Sequence, residues 1–289
     1  MTGVLIVAPV AAYADGEDEP VVSGSANVSV SVPGGGAPMT PGEHVVVPAK
    51  RLFAHANLEF GMAKVVVGTE ESTELAIGLA PDIYYGVNAK LTLGLIHSSQ
   101  AKTGFMGGFG SSLCLTGDLC GDVYNGAGLD ARYQLTEGNL GLAGNVAVIA
   151  NALDPFTVAL KLGVIGRYRP SPASPLAIEF APSIAFGVTE RDGDAMAGVD
   201  ANKEVLSVPV TLLYSLSAKL AGILQTGVIL PFSDAGDLYA VPLSLGVNFQ
   251  VNKQLSVDAA FTLPFLLGGD LTPNGFDTRT ITVGGGYAF

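Results

Sequence analysis

The feature that most constrains this chain is an alternation of period two that recurs from residue 51 to residue 289. In LFAHANLEF, residues 52–60, Leu52, Ala54, Ala56, Leu58 and Phe60 fall on one face, and Phe53, His55, Asn57 and Glu59 on the other. In residues 75–86, Leu75, Ile77, Leu79, Pro81, Ile83 and Tyr85 oppose Ala76, Gly78, Ala80, Asp82, Tyr84 and Gly86. Successive side chains of a strand point to opposite faces, so this alternation predicts strands with one apolar face and one small or polar face. Twelve segments read this way: 51–60, 74–86, 90–98, 123–135, 139–151, 156–168, 176–189, 205–215, 219–230, 238–250, 254–266 and 279–289.

Composition decides where the apolar faces go. Hydrophobic residues make up 48% of the 289 and charged residues 14%. Even so, no run reaches the roughly 18 uninterrupted apolar residues of a membrane helix. An apolar chain without apolar helices predicts a sheet that faces lipid. A secreted sandwich would instead bury those faces between two sheets, but the sequence separates its features by rim. Short turns (86–90, 136–139, 169–175, 216–219, 251–254) alternate with mostly longer connections (61–73, 99–122, 152–155, 190–204, 231–237, 267–278). The short-turn rim carries Lys50, Arg51, Lys90, Arg169, Lys219 and Lys253 against Glu137, whereas the long loops are acidic, with Glu70, Glu71, Glu74, Asp192, Asp194, Asp234 and Asp277. Every second strand ends at the short-turn rim in an outward aromatic: Tyr85, Tyr133, Tyr168, Tyr214, Phe249, then Tyr287 and Phe289. These are the marks of an all-β fold: one transmembrane antiparallel up-and-down barrel of about 12 strands. Its short turns would be periplasmic, its longer loops extracellular, and an aromatic girdle would sit at one interface.

The final segment, TVGGGYAF, resembles the terminal strand of Gram-negative outer-membrane β-barrel proteins, which runs polar–x–Gly–x–x–hydrophobic–x–aromatic. Thr282, Gly284, Tyr287 and Phe289 fill those places. The resemblance implies an outer-membrane location and recognition of this strand by the barrel-assembly machinery.

Three regions are expected. Residues 1–14, MTGVLIVAPVAAYA, are apolar and end in Ala12-Tyr13-Ala14 before Asp15, the pattern of a signal-peptide remnant. Residues 15–50 open with Asp15, Glu17, Asp18 and Glu19 and continue Gly- and Pro-rich, a flexible lead-in that serves as a tether or as a plug for the lumen. Residues 51–289 form the barrel. The two cysteines, Cys114 and Cys120, suit a small disulfide loop in an oxidising compartment. With only His44, His55 and His97 as histidines, no metal site is expected, and no cofactor.

By parity the lumen is lined by His55, Asn57, Glu59, Asp82, Tyr84, Asp130, Arg132, Lys161, Arg167, Glu179 and Asp258. Tyr124, Gln134, Asn145, Gln225, Asn248 and Gln250 share the inward face, the rest of which is largely small. Fixed charges among small residues suit a narrow porin-like channel for passive or weakly selective passage of small hydrophilic solutes. A closed structural or binding barrel is the alternative. Its acidic loops would attract small solutes or divalent cations. No nucleic-acid patch, phosphate loop or nucleophile elbow is present. One local pattern resembles outer-membrane phospholipase A, in which Ser and His lie two apart on one strand and an Asn on the next orients the His. Carried over, Ser99 would be the nucleophile, His97 its base and Asn125 the orienter, all pointing to lipid. The pattern covers only these residues, and Gln100-Ala101 stands where that family has Asn-Gly. A non-enzymatic barrel is the main expectation.

Overall fold

The structure is a computed structural model that describes residues 45–67, 70–107, 113–120, 123–153, 156–171, 173–191, 202–233, 235–269 and 275–289. The expected export signal at 1–14 and most of the lead-in lie outside the described residues. In chain order the elements are β1 (Leu52–Val67), β2 (Glu70–Gly86), β3 (Leu91–Ile96), α1 (Ser99–Thr103), β4 (Leu113–Thr116), β5 (Gly128–Thr136), β6 (Leu140–Leu153) and β7 (Phe156–Tyr168). They continue with β8 (Leu176–Phe180), β9 (Ser183–Gly187), β10 (Val205–Ser215), β11 (Leu220–Pro231), β12 (Ala240–Gln250), β13 (Leu255–Gly268) and β14 (Thr278–Ala288). Each wall strand pairs antiparallel with its neighbours, and β1 pairs with both β2 and β14, so the sheet closes. β8 and β9 are halves of one stave, both pairing with β7 and β10, and β4 stands outside the sequence of staves. The result is a twelve-stave antiparallel barrel. Closure leaves no sheet edge facing lipid, the condition for a sheet to cross a bilayer.

The period-two reading holds around the wall. On β1 the odd residues Phe53, His55, Asn57 and Glu59 are buried, and on β2 the even residues Ala80, Asp82 and Tyr84. The opposite set, including Leu93, Leu129, Val146, Leu245 and Val283, is exposed. Here "buried" means facing the lumen, because the apolar side chains point outward to where lipid lies.

Register explains the girdle. Tyr85, Tyr133, Tyr168, Tyr214, Phe249 and Tyr287 each stand opposite a leucine on the adjoining stave: Leu52, Leu91, Leu140, Leu176, Leu220 and Leu255 respectively. All seven girdle residues, Phe289 included, are exposed. Each aromatic is thus backed by an aliphatic partner at the same height, and such cross-strand pairs are the unit of sheet stabilisation. The seam closes beside the last of them, where Phe289 N donates to Leu52 O at 2.9 Å.

Three segments depart from the expected outline. The loop expected at 61–73 is mostly strand, because Met62 to Val67 pair with Leu75 to Glu70 and lengthen the first hairpin. The strand expected at 176–189 is interrupted at Ala181-Pro182, since proline has no N–H for the ladder. Pairing resumes because Val164 N reaches Pro182 O at 3.0 Å. The loop expected at 99–122 contains α1 and β4. β3 is only 6 residues long and pairs with β2 only from Ile83 to Gly86, so that side of β2 above Ile83 lacks β3 as a partner. β4 fills that gap, with Cys114 opposite Gly78. Cys114 and Cys120 are disulfide-bonded and close the turn beside Leu75 of β2.

Candidate functional site: the lumen and the segments inside it

All eleven expected lumen residues lie on the inward face. Ten of them are buried, and the side chain of Asp258 is 17% exposed. Neighbouring staves bring many of them together. Arg132 Nε donates to Asp130 Oδ2 at 2.7 Å, and Asn145 Nδ2 to Asp130 Oδ1 at 2.5 Å. The Arg132 guanidinium also sits 4.3 Å above the Tyr84 ring. Arg167 and Glu179 are register partners and form an ion pair. Across β1 and β13, His55 Nε2 donates to Asp258 Oδ1 at 2.9 Å. These buried pairs satisfy charges that would be costly alone.

Two segments occupy the lumen that the alternation of the wall does not reveal. The first follows β3. Asp82, on β2, accepts from His97 N at 2.6 Å, from Ser98 N at 2.9 Å and from Ser98 Oγ at 2.5 Å. That triple acceptor turns the chain off the wall. Ser98 Oγ then caps α1 by accepting from Ala101 N, and Gly104, at φ 93°, ends the helix with a bond to Gln100 O. From there the segment crosses to the far side of the barrel. Lys161 Nζ on β7 donates to Ala101 O and Lys102 O at 2.9 and 3.1 Å. On β11, Gln225 Oε1 accepts from Met106 N at 2.7 Å and Gln225 Nε2 donates to Gly104 O at 3.1 Å. Gly104 lies against Pro209 of β10, and Gly107 against Thr262 and Thr280 of β13 and β14. At each of these glycines an added Cβ would meet the facing side chain within about 3 Å. Burial lowers the Lys102 ammonium to about 8, against the opposing pull of Asp82 and Glu59.

The second segment is the described end of the lead-in. Val45, Val46 and Val47 are buried inside the short-turn end of the barrel. Val47 N donates to Thr92 Oγ1 at 2.8 Å. Val45 and Val46 pack with Ala143, Ile165 and Ala181, while Val47 joins an apolar cluster that also holds Ala101 and Met106 of the first segment. Lys50, at φ 59°, reverses the chain and leads it into β1. Of the expected lead-in 15–50, residues 15–44 lie outside the described residues, and Val45–Val47 lie inside the barrel.

The phospholipase-like arrangement does not form as expected. β3 ends at Ile96, so His97 and Ser99 do not share a strand face. His97 Nδ1 donates to Pro81 O at 2.6 Å, Ser99 is the first residue of α1, and Asn125 precedes β5. Parity placed them toward lipid; the turn made by Asp82 breaks the parity. Lumen residues missed in the sequence are the inserted ones, Val45–Val47 and Ser98–Met106. Their signals were an apolar run within a Pro/Gly-rich stretch and a Ser-x-x-x-x-x-Gly frame for a short helix, Ser98 to Gly104.

On the long-loop side, Glu71 pairs with Lys64 at 2.8 Å and Glu204 with Arg191 at 2.7 Å. The Arg191 guanidinium holds the Glu204 carboxyl below its usual range. Among the described residues no cluster of three or more His, Cys, Asp or Glu side chains could hold a metal ion. The expected loop residues Asp192, Asp194 and Asp234 lie outside the described residues.

No family model matches the chain, and no curated protein matches it. Among solved structures it is similar to an outer membrane channel from Pseudomonas putida F1. The two share 13% identity and a TM-score of 0.54 over 86% of this chain and 99% of that one. It is also similar to the NanC porin, at 8% identity and a TM-score of 0.51, over 80% of this chain and 98% of that one. The fold is therefore that of outer-membrane porins and channels.

Proposed function

We propose that the protein is a narrow, restricted channel of a Gram-negative outer membrane that admits small hydrophilic solutes. The observation that carries this reading is a closed twelve-stave barrel whose inward face carries many polar, charged and small residues beside a few large apolar ones such as Phe53, Ile149 and Leu213, and whose lumen is narrowed by a segment held on Asp82, Lys161 and Gln225. The chain works without catalytic chemistry. Thr282, Gly284, Tyr287 and Phe289 serve as the signal read by the assembly machinery, and the acidic loops gather cations or small solutes at the mouth.

The tight burial of the lumen favours one second reading, a barrel that stays shut and acts through its loops. Swelling of proteoliposomes in isotonic sugars of graded size separates the two. The channel reading predicts swelling in the smallest solutes with a sharp size cut-off. Vesicles that hold properly folded barrel and swell in none would leave the closed reading standing.

A further inference from the structure

Four adjoining staves, β12, β13, β14 and β1, differ from the rest of the wall in how their inward polar groups are satisfied. Among the described residues, His55 Nδ1, Asn57 Oδ1, both amide atoms of Asn248, Gln250 Oε1 and the hydroxyls of Thr280 and Thr282 are buried without a hydrogen-bond partner. Elsewhere on the wall fewer such atoms occur, at Tyr84, Arg132 and Gln134 around β5, where the Arg132 guanidinium stacks on the Tyr84 ring. The opposite arc is otherwise tied up: Asp130 with Arg132 and Asn145, Arg167 with Glu179, and Lys161 and Gln225 with the inserted segment. Buried polar atoms in native proteins nearly always find partners, and where protein supplies none, water does.

Register places these atoms in rows. One row across the four staves is Asn57, Gly284, Asp258 and Asn248. The row beside it is Glu59, Thr282, Ala260 and Gly246. Glycine and alanine in both rows add no polar group of their own, and the side-chain oxygens of Asn57 and Asp258 lean over Gly284, within 3.1 Å of where a Cβ would stand. The inward residues of these four staves include the carboxylates Glu59 and Asp258 but no lysine or arginine. His55 is the one basic group there, and its Nε2 is held by Asp258. Among the described residues, the inserted segment meets this arc at Gly107, which lies against Thr262 and Thr280, and at Lys102, on whose ammonium Glu59 acts.

We propose that the permeation path is off-centre, a hydrated, acid-lined groove against β12, β13, β14 and β1, and that it passes small cations in preference to anions. This rests on the channel reading above. Because Cys114 and Cys120 are bonded to each other and no free cysteine remains, a single introduced thiol reports its own surroundings. Thr282→Cys puts one in the groove. Ala147→Cys puts one on the opposite arc, in the apolar cluster with Ala101 of α1.

The test treats both variants, folded in lipid vesicles and in planar bilayers, with a water-soluble cationic methanethiosulfonate. Covalent labelling is read by mass and ion flow by current. The proposal predicts rapid labelling and a fall in current for Thr282→Cys, and neither for Ala147→Cys. In a KCl gradient the wild type should prefer K⁺, and Glu59→Gln with Asp258→Asn should lower the cation-to-anion permeability ratio by roughly tenfold, the low end of what focused fixed charge provides. Equal or faster labelling at Ala147→Cys, or a wild-type preference for Cl⁻, would overturn it. A wild type without current contradicts the channel reading instead, and vesicle labelling then still decides whether the groove holds water.

Discussion

At the scale of single residues, the wall is fitted by aromatic rings lying over glycines. On the lipid face, Phe180 stands opposite Gly166 in register, and a Cβ on Gly166 would lie 2.0 Å from the Phe180 ring. In the lumen, Tyr84 covers Gly94 in the same way. Such rings shield backbone that a bare glycine leaves exposed and pin the register. Gly166→Val should cost about 1–3 kcal/mol by overpacking, read from the denaturant midpoint of the barrel in lipid. Its cost should shrink in a Phe180→Ala background, because the two residues share one contact. Asp82 is the residue on which the lumen depends most. Asp82→Ala strands three donors, each worth roughly 1–3 kcal/mol when buried unpaired. The barrel should still form, with α1 released and the conductance raised. Lys102 gives the same segment a pH dependence. Docked, its ammonium titrates near 8, below its free value of 10.5, so the docked state binds fewer protons than the released one. Docking therefore strengthens as pH rises from about 8 to 10.5, and unitary current should fall over that window in the wild type but not in Lys102→Met.

At the scale of elements, the staves were legible and the inserted segments were not. Parity puts His55, Asp130, Lys161 and Glu179 on the inward set, and all four are buried, because a strand's alternation is a local property of its own residues. It also extended β3 to Ser98 and sent His97 outward, because the group that turns the chain, Asp82, lies 15 residues back on the neighbouring stave. No local pattern in the third strand carries that information. The break at Ala181-Pro182 was visible in principle from the proline, while the run Val45–Val47 was hidden by the Pro/Gly-rich composition around it. The inserted segment itself is held from the far wall by four hydrogen bonds, two from Lys161 and two with Gln225. Lys161→Met with Gln225→Leu removes all four at about 1 kcal/mol each. The pair should raise both the conductance and its fluctuation, measured in single-channel records, while the electrophoretic shift of the folded barrel persists.

At the scale of the whole molecule, two segments enter one barrel from opposite ends and meet in a shared apolar cluster of Val47, Ala101 and Met106. The staves enclose a lumen lined mostly by polar and small residues with an apolar cluster among them, and the two insertions occupy part of it. The central claim is thus that the closed wall is a conducting path and that the insertions limit it. Single-channel conductance of the full chain and of a variant lacking residues 1–48, each refolded and reconstituted in planar bilayers, tests this most directly. The full chain should show small unitary steps and the shortened chain distinctly larger ones. Folded barrel that gives no steps in either form, or the same steps in both, would contradict it.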